Sequence, residues 1–271
     1  MQDRSQVPDQ TRSKHHYVTR AYLKGMFADG ESRLWVYERN SDHVFQDVPK
    51  NLASTRAYYT IVDKDGSETD KYEKLLGEEV ERLGIPVLRR LSHDMKQLTW
   101  QEREQGAILI AMQELRVPYM RDQLSHMMKE LYKSLFQTRI FTPGLLERHL
   151  ERRHVKGKIV NDVSADELRR AVMNGDIALE MLPEASLRAL GYSLPALINA
   201  YVKMKWTVLI SNGICFVTSD CPVCRDYPQT HNFPAGIVNP DLTVYFPISQ
   251  FRVLRICLKT RGGTKSGICA V

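Results

Sequence analysis

Three polar clusters in this 271-residue chain have side chains suited to proton transfer or anion binding. The first is His15-His16-Tyr17 with Arg20. An imidazole titrating near neutrality can take up a proton or bind a metal. A guanidinium can hold a phosphate through two parallel hydrogen bonds. The plainer alternative is that one His and the Tyr hydroxyl satisfy backbone groups at a helix start. The second cluster is Gln113 with Arg116, which share a helical face among Ile108, Met112 and Leu115. A guanidinium buried there needs a carboxylate, unless it lies at the edge of the stripe and extends to water. The third is Thr218-Ser219-Asp220, where an apolar run ends and Pro222 stops any ladder. Asp220 is therefore the expected partner of Arg116, with His16 beside the pair.

Other candidates are more diffuse. Glu73, Glu78 and Glu81 could join Asp220 in holding Mg²⁺ or Mn²⁺, although a carboxylate-rich helix face is ordinarily just solvated. Cys221 and Cys224 form a CxxC, half of a typical zinc site. Cys215, His231 and Cys257 lack the spacing to complete it, so no zinc is expected and the thiols read as buried or idle. Arg148, Arg152, Arg153, Lys156 and Lys158 could meet phosphates, but Glu147 and Glu151 dilute the run. No Walker loop, GxGxxG, GxSxG or HExxH occurs.

The elements that must position these groups follow from periodicity and turn residues. Residues 206–210 and 214–217 read as a hairpin around Ser211-Asn212-Gly213, because Asn-Gly suits a tight turn with positive φ. Its expected sheet partners are 242–246 and 252–256, packed on helices from 99–137. Near the N-terminus, residues 22–27 have helical spacing, and 34–38 with 44–48 read as a second hairpin. From 70 to 205 the pattern is mainly helical, with Pro86 expected to break or kink it and another kink expected at Pro118. Thr99 with Glu102, and Ser164 with Glu167, have capping-box spacing. Thr142-Pro143 reads as a helix start, Pro183 and Gly191 bracket a short helix, and Ser193 caps the next, which runs to Lys205. The fold expected is α+β: an antiparallel sheet of N- and C-terminal strands against a helical middle. One domain is expected over 14–258, with a disordered start (1–13) and a flexible tail (259–271).

With 43% hydrophobic and 26% charged residues, the chain can form an ordinary globular core. Its net charge of +6 permits a nucleic-acid partner without requiring one. No apolar run approaches the ~20 residues of a membrane helix. The polar first residues contain no secretory core, so no membrane partner and a cytoplasmic location are expected. Nothing in the composition sets the oligomeric state.

His16-Tyr17-Val18, followed by Tyr22-Leu23 and Phe27, resembles the opening of the bacterial family catalogued as domain of unknown function 4238. The resemblance continues through Leu34-Trp35-Val36-Tyr37, Pro49-Lys50-Asn51 and Tyr58-Tyr59-Thr60. It extends over Glu81 before Pro86, Gln113-x-x-Arg116-x-Pro118, Thr218-Ser219-Asp220-x-Pro222 and Phe246-Pro247-Ile248. Thr19 stands where the family's pattern has Pro, and Cys221 where it usually has Asn. The resemblance implies a shared site of His16, Arg116, Ser219 and Asp220, with Lys50, Glu81 and Gln113 behind them. Two functions are compatible with that set. One is a hydrolase or nuclease acting on nucleic-acid phosphodiesters in a bacterial defence or toxin setting, with Arg20, Lys50 and Gln113 on the substrate. The other is a non-catalytic binding module in which the His/Arg/Asp cluster specifies the fold.

Overall fold

The computed structural model describes residues 14–27, 33–56, 61–62, 68–69, 79–94, 97–155, 164–174, 176, 183–213, 215–227, 236–258 and 268–270. The readings of 1–13, 58–60, Glu73, Glu78, Lys156, Lys158 and His231 lie outside these residues. The chain forms two compact units, Met1–Met120 with Leu190–Val271 and, between them in sequence, Arg121–Ala189.

The first unit is α+β. Strand β1 (Lys14–His16) leads to helix α1 (Arg20–Met26), which Thr19 caps by accepting from the Ala21 and Tyr22 amides. Strands β2 (Leu34–Tyr37) and β3 (Val44–Asp47) form the expected hairpin, and Asn40 takes the positive φ of 63° that its turn requires. Strand β4 (Ser54–Arg56) returns to pair with β1, and β5 (Ile61–Val62) pairs with β6 (Glu68–Thr69).

Helix α2 (Arg82–His93) runs through Pro86 rather than breaking there. A wide π turn at 79–81 precedes it, so the missing Pro86 donor falls in the first turns, beside an already loosened ladder. Helix α3 (Trp100–Leu115) begins on the expected capping box: Thr99 accepts from the Glu102 amide at 3.2 Å, and Glu102 accepts from the Thr99 amide at 2.8 Å. Ala107, Leu109, Ile110, Ala111, Gln113, Glu114 and Leu115 are all buried, so the C-terminal half of α3 is enclosed except along the half-buried face of Ile108 and Met112.

Close approach of α2 and α3 depends on Gly84. A Cβ at Gly84 would stand 2.5 Å from Leu109 Cβ, well inside van der Waals contact. Gly84→Ala should therefore destabilise this unit by about 1–3 kcal/mol through overpacking. In denaturant titration, adding Leu109→Ala should cost less in the Gly84→Ala background than in the wild type. Strictly additive effects would mean that the helices can separate freely.

The five-stranded antiparallel sheet consists of β7 (Lys205–Ile210), β8 (Cys224–Asp226), β9 (Thr243–Ser249), β10 (Arg252–Cys257) and β11 (Ile268–Ala270), in the order β11-β7-β10-β9-β8. The partners expected from 242–246 and 252–256 are present as β9 and β10. The expected 206–217 hairpin is not. Residues 215–217 form no strand, and β7 is flanked by β10 on one side and β11 on the other. A six-residue register between β7 and β10 pairs more backbone than the four-residue arm 214–217 could. The Phe216 amide instead reaches the Gln250 carbonyl at 2.6 Å. Residues 268–270, expected within a flexible tail, supply the edge strand β11.

Tyr22 from α1, Leu88 and Leu91 from α2, Ile110 from α3, and Trp206, Phe246 and Leu254 from the sheet meet in one core. Tyr22 stacks on Phe246 with ring centroids 5.1 Å apart. Its hydroxyl donates to the Pro247 carbonyl at 2.7 Å and lies 2.8 Å from Thr218 Oγ1. Full burial of such side chains contributes about 1.5–3 kcal/mol each.

The second unit is helical. It takes in most of α4 (Pro118–Phe141), then α5 (Leu145–Val155), α6 (Ala165–Asn174) and the start of α7 (Pro183–Lys203). The Ser164–Glu167 capping box forms at α6. Arg169 then donates to Glu147 at 2.7 Å, to Asp166 at 2.9 Å and to the Ile140 carbonyl. Helix α7 passes through Gly191 and Pro195 as one element, where two helices were expected. Among the described residues, no helix is long and apolar enough to cross a membrane.

Candidate functional site

The site grows out of the segment between β1 and α1. The Tyr17 and Val18 amides both donate to the Ala53 carbonyl. Ala53 itself has φ of 47°, a left-handed conformation that costs energy for a residue with a Cβ. Gln113 Nε2 donates to the Tyr17 carbonyl at 2.9 Å, and Gln113 Oε1 accepts from the Thr19 amide at 3.4 Å. Residues 16–19 are thereby held against the end of α3.

The same helix end carries Arg116. Its guanidinium donates to Gln113 Oε1 at 2.7 Å and to Glu81 Oε1 at 3.2 Å. Glu81 Oε2 accepts from the Thr19 hydroxyl at 2.8 Å. Thr19, Glu81, Gln113 and Arg116 are thus one network, with Arg116 only 4% exposed. The expected pairing of Arg116 with Asp220 does not form. Asp220 lies in an exposed stretch where water can solvate it, whereas Glu81, at the end of the wide turn before α2, reaches the buried guanidinium. A buried cation takes the carboxylate that is itself partly desolvated, because that pair gains most from contact.

His16 stands at the rim. Its Nε2 is 3.0 Å from the Lys50 carbonyl, which can only accept, so the proton of the neutral ring is on Nε2 and Nδ1 keeps a free lone pair. Burial lowers the imidazole pKa below 6.5. The Lys50 carbonyl opposes this, while the positive charges of Arg20 and Lys14 lower it again. Arg20 and Lys50 are exposed, as are Ser219 and Asp220. Ser219 Oγ accepts from the Cys221 amide at 3.0 Å. Burial raises the Tyr17 pKa, and the Asp220 charge adds to that rise.

The candidates therefore separate into two groups. Arg116 and Gln113 are buried and Glu81 is half-buried, with Arg116 bonded to both of the others. His16 is half-buried, and Arg20, Lys50, Ser219 and Asp220 are exposed. Both Glu81 oxygens already accept protein donors, so this carboxylate is poorly suited to joining Asp220 around Mg²⁺ or Mn²⁺. Among the described residues no group of three or more His, Cys, Asp or Glu is placed to hold a metal ion. Burial, with smaller contributions from Cys224 and Asp220, pushes the Cys221 thiol up to about 11. That makes it a poor nucleophile at neutral pH.

Four further residues were not among the site candidates read from the sequence. Thr19 is one. The others form a second buried network, in which Tyr201 donates to Glu114 Oε2 at 2.5 Å and Arg225 Nε donates to Glu114 Oε1 at 2.5 Å. Burial acts most strongly against the Arg225 charge, but Glu114 and Tyr201 together outweigh it and the pKa is raised. The spacing does contain a signal for Glu114: it lies three and four residues after Ala111 and Ile110, on the apolar side of α3. Helix α3 thus holds the His16 segment through Gln113 and Arg116, and β8 through Glu114.

No curated protein and no solved structure matches the chain. One family model does, and it covers residues 14–259, a span containing both networks and the open rim. The chain therefore belongs to the family described as protein of unknown function (DUF4238).

Proposed function

We propose that the chain hydrolyses nucleic-acid phosphodiesters with His16 as general base. The observation that supports this is the His16 ring itself, kept neutral, with Nε2 tied to Lys50 and Nδ1 free, beside the cations Arg20 and Lys14. A phosphate drawn to those cations would lie next to a base able to accept a proton at neutral pH. Nδ1 takes the proton of the attacking hydroxyl or water, the new oxygen–phosphorus bond forms, and the bond to the leaving oxygen breaks. The buried network keeps residues 16–19 in place.

His16→Gln should lower cleavage of labelled RNA or DNA at least about 100-fold, with the melting temperature little changed. Assays with Mg²⁺ and with a chelator separate metal-dependent from metal-independent cleavage. The wild-type rate should rise with pH to a plateau, with its inflection below 6.5, because the folded-state pKa is lowered. The same shift makes stability fall as pH drops below 6.5, since the unfolded chain then binds the proton more tightly, and His16→Gln should remove that part of the decline. Full activity in His16→Gln, or no cleavage of any nucleic acid by the wild type, would sink the proposal.

The second reading, a binding module with a structural network, is favoured by one specific observation. Thr19, Glu81, Gln113 and Arg116 direct their polar groups at one another and at the Tyr17 carbonyl. It predicts binding without turnover, unaffected by His16→Gln.

A further inference from the structure

We propose that the outer face of the β2–β3 hairpin is a stacking platform for the bases of a single-stranded nucleic acid, with Trp35 and Tyr37 as its two rings. This rests on the nucleic-acid reading above and names the substrate's form. Along β2 the burial alternates, so Leu34 and Val36 face inward while Trp35 and Tyr37 face out, 63% and 73% exposed. Across the ladder Trp35 is paired with Gln46 and Tyr37 with Val44, which leaves both rings uncovered on one face. Two large aromatic rings two residues apart on a strand stand about 7 Å apart. That spacing suits successive bases of a strand whose stack has been opened, and every base has a face to stack.

The hairpin also leads into the site. Asp47, the last residue of β3, accepts from Asn51 Nδ2 at 2.8 Å. Lys14 donates to the Asn51 carbonyl at 3.4 Å, and the neighbouring Lys50 carbonyl holds His16. Charge favours an anionic occupant. Residues 14–56 contain seven Lys or Arg against five Asp or Glu, and the cations nearest His16 are Lys14 and Arg20. Of the acids, Glu38 faces His43 at 3.3 Å, and Asp47 is bonded to Asn51 and to the Val48 amide. A strand stacked on Trp35 and Tyr37 would therefore have its phosphates leading past Lys14 toward His16. A duplex, whose bases are already stacked, gains nothing from the rings.

The test is fluorescence anisotropy with labelled dT and rU oligonucleotides and a matched duplex. His16→Gln serves as background so that cleavage does not interfere. Trp35→Ala and Tyr37→Ala should each weaken single-strand binding about tenfold. Trp35→Phe should retain most of it, and Trp100→Ala, an exposed indole outside the hairpin, should change nothing. Weaker binding at higher salt is expected from the phosphate contacts. Unchanged affinity in both alanine variants, or duplex binding as tight as single-strand binding, overturns the platform. The two proposals fail separately. Cleavage that persists in Trp35→Ala with undiminished substrate affinity removes the platform and leaves the hydrolase. Platform-dependent binding without cleavage by the wild type removes the hydrolase and leaves the platform. Absence of any binding removes both.

Discussion

Glu81→Ala should destabilise the first unit by about 3–5 kcal/mol, more than Arg116→Ala does. The asymmetry follows from exposure. Arg116 is 4% exposed and Glu81 is 22% exposed. Removing Glu81 leaves a guanidinium that cannot reach water. Removing Arg116 leaves a carboxylate that can partly rehydrate and still accepts from Thr19. Glu81→Gln should be intermediate, because its amide oxygen can accept from one donor but the charge is gone. The double variant Glu81→Leu/Arg116→Met should cost less than Glu81→Ala alone, since it leaves no buried charge unpaired. Urea titrations with an unchanged slope would read these differences directly. A Glu81→Ala cost below about 1 kcal/mol would mean that the guanidinium escapes to solvent, in the range of surface pairs.

The second large effect is expected at Glu114. This carboxylate is 3% exposed, and each of its oxygens accepts a 2.5 Å hydrogen bond, from Tyr201 and from Arg225. Glu114→Ala orphans a fully buried hydroxyl and a largely buried guanidinium together, and should cost about 3–5 kcal/mol. Tyr201→Phe removes one donor and leaves the Arg225 bond intact, so about 1–3 kcal/mol is expected. Glu114→Gln should fall between them, because its amide nitrogen would face one of the two donors. Tyr201 also accepts from Trp206 Nε1 at 2.8 Å through its carbonyl, so the packing of Trp206 reports on the same region. Near-ultraviolet circular dichroism should lose intensity in Glu114→Ala before the helical signal falls. A Glu114→Ala protein as stable as the wild type would show that water enters and replaces the carboxylate.

How much of this was legible in the chain depends on the range over which each interaction acts. The two capping boxes, the β2–β3 hairpin with its Asn40 turn and the α+β class were readable because their causes lie within a few residues of one another. The motifs from His16 to Ile248 carried the family, which the match over 14–259 confirms. What was not readable required a choice among distant partners. Ser211-Asn212-Gly213 does turn the chain, yet β7 pairs with β10 and β11, because a longer ladder from elsewhere outcompetes a four-residue neighbour. Arg116 was expected to need a carboxylate, and it has one. Which carboxylate depended on the wide turn before α2, a backbone irregularity with no residue signature, and on Asp220 lying in the open. The protonation of His16 is set by the Lys50 carbonyl, and a carbonyl is the same at every position in a sequence. Local chemistry therefore determined the elements and named the polar groups. Only the fold decided which of them are buried against one another and which are left open, because burial fixes the cost of an unpaired charge and depends on what the rest of the chain covers.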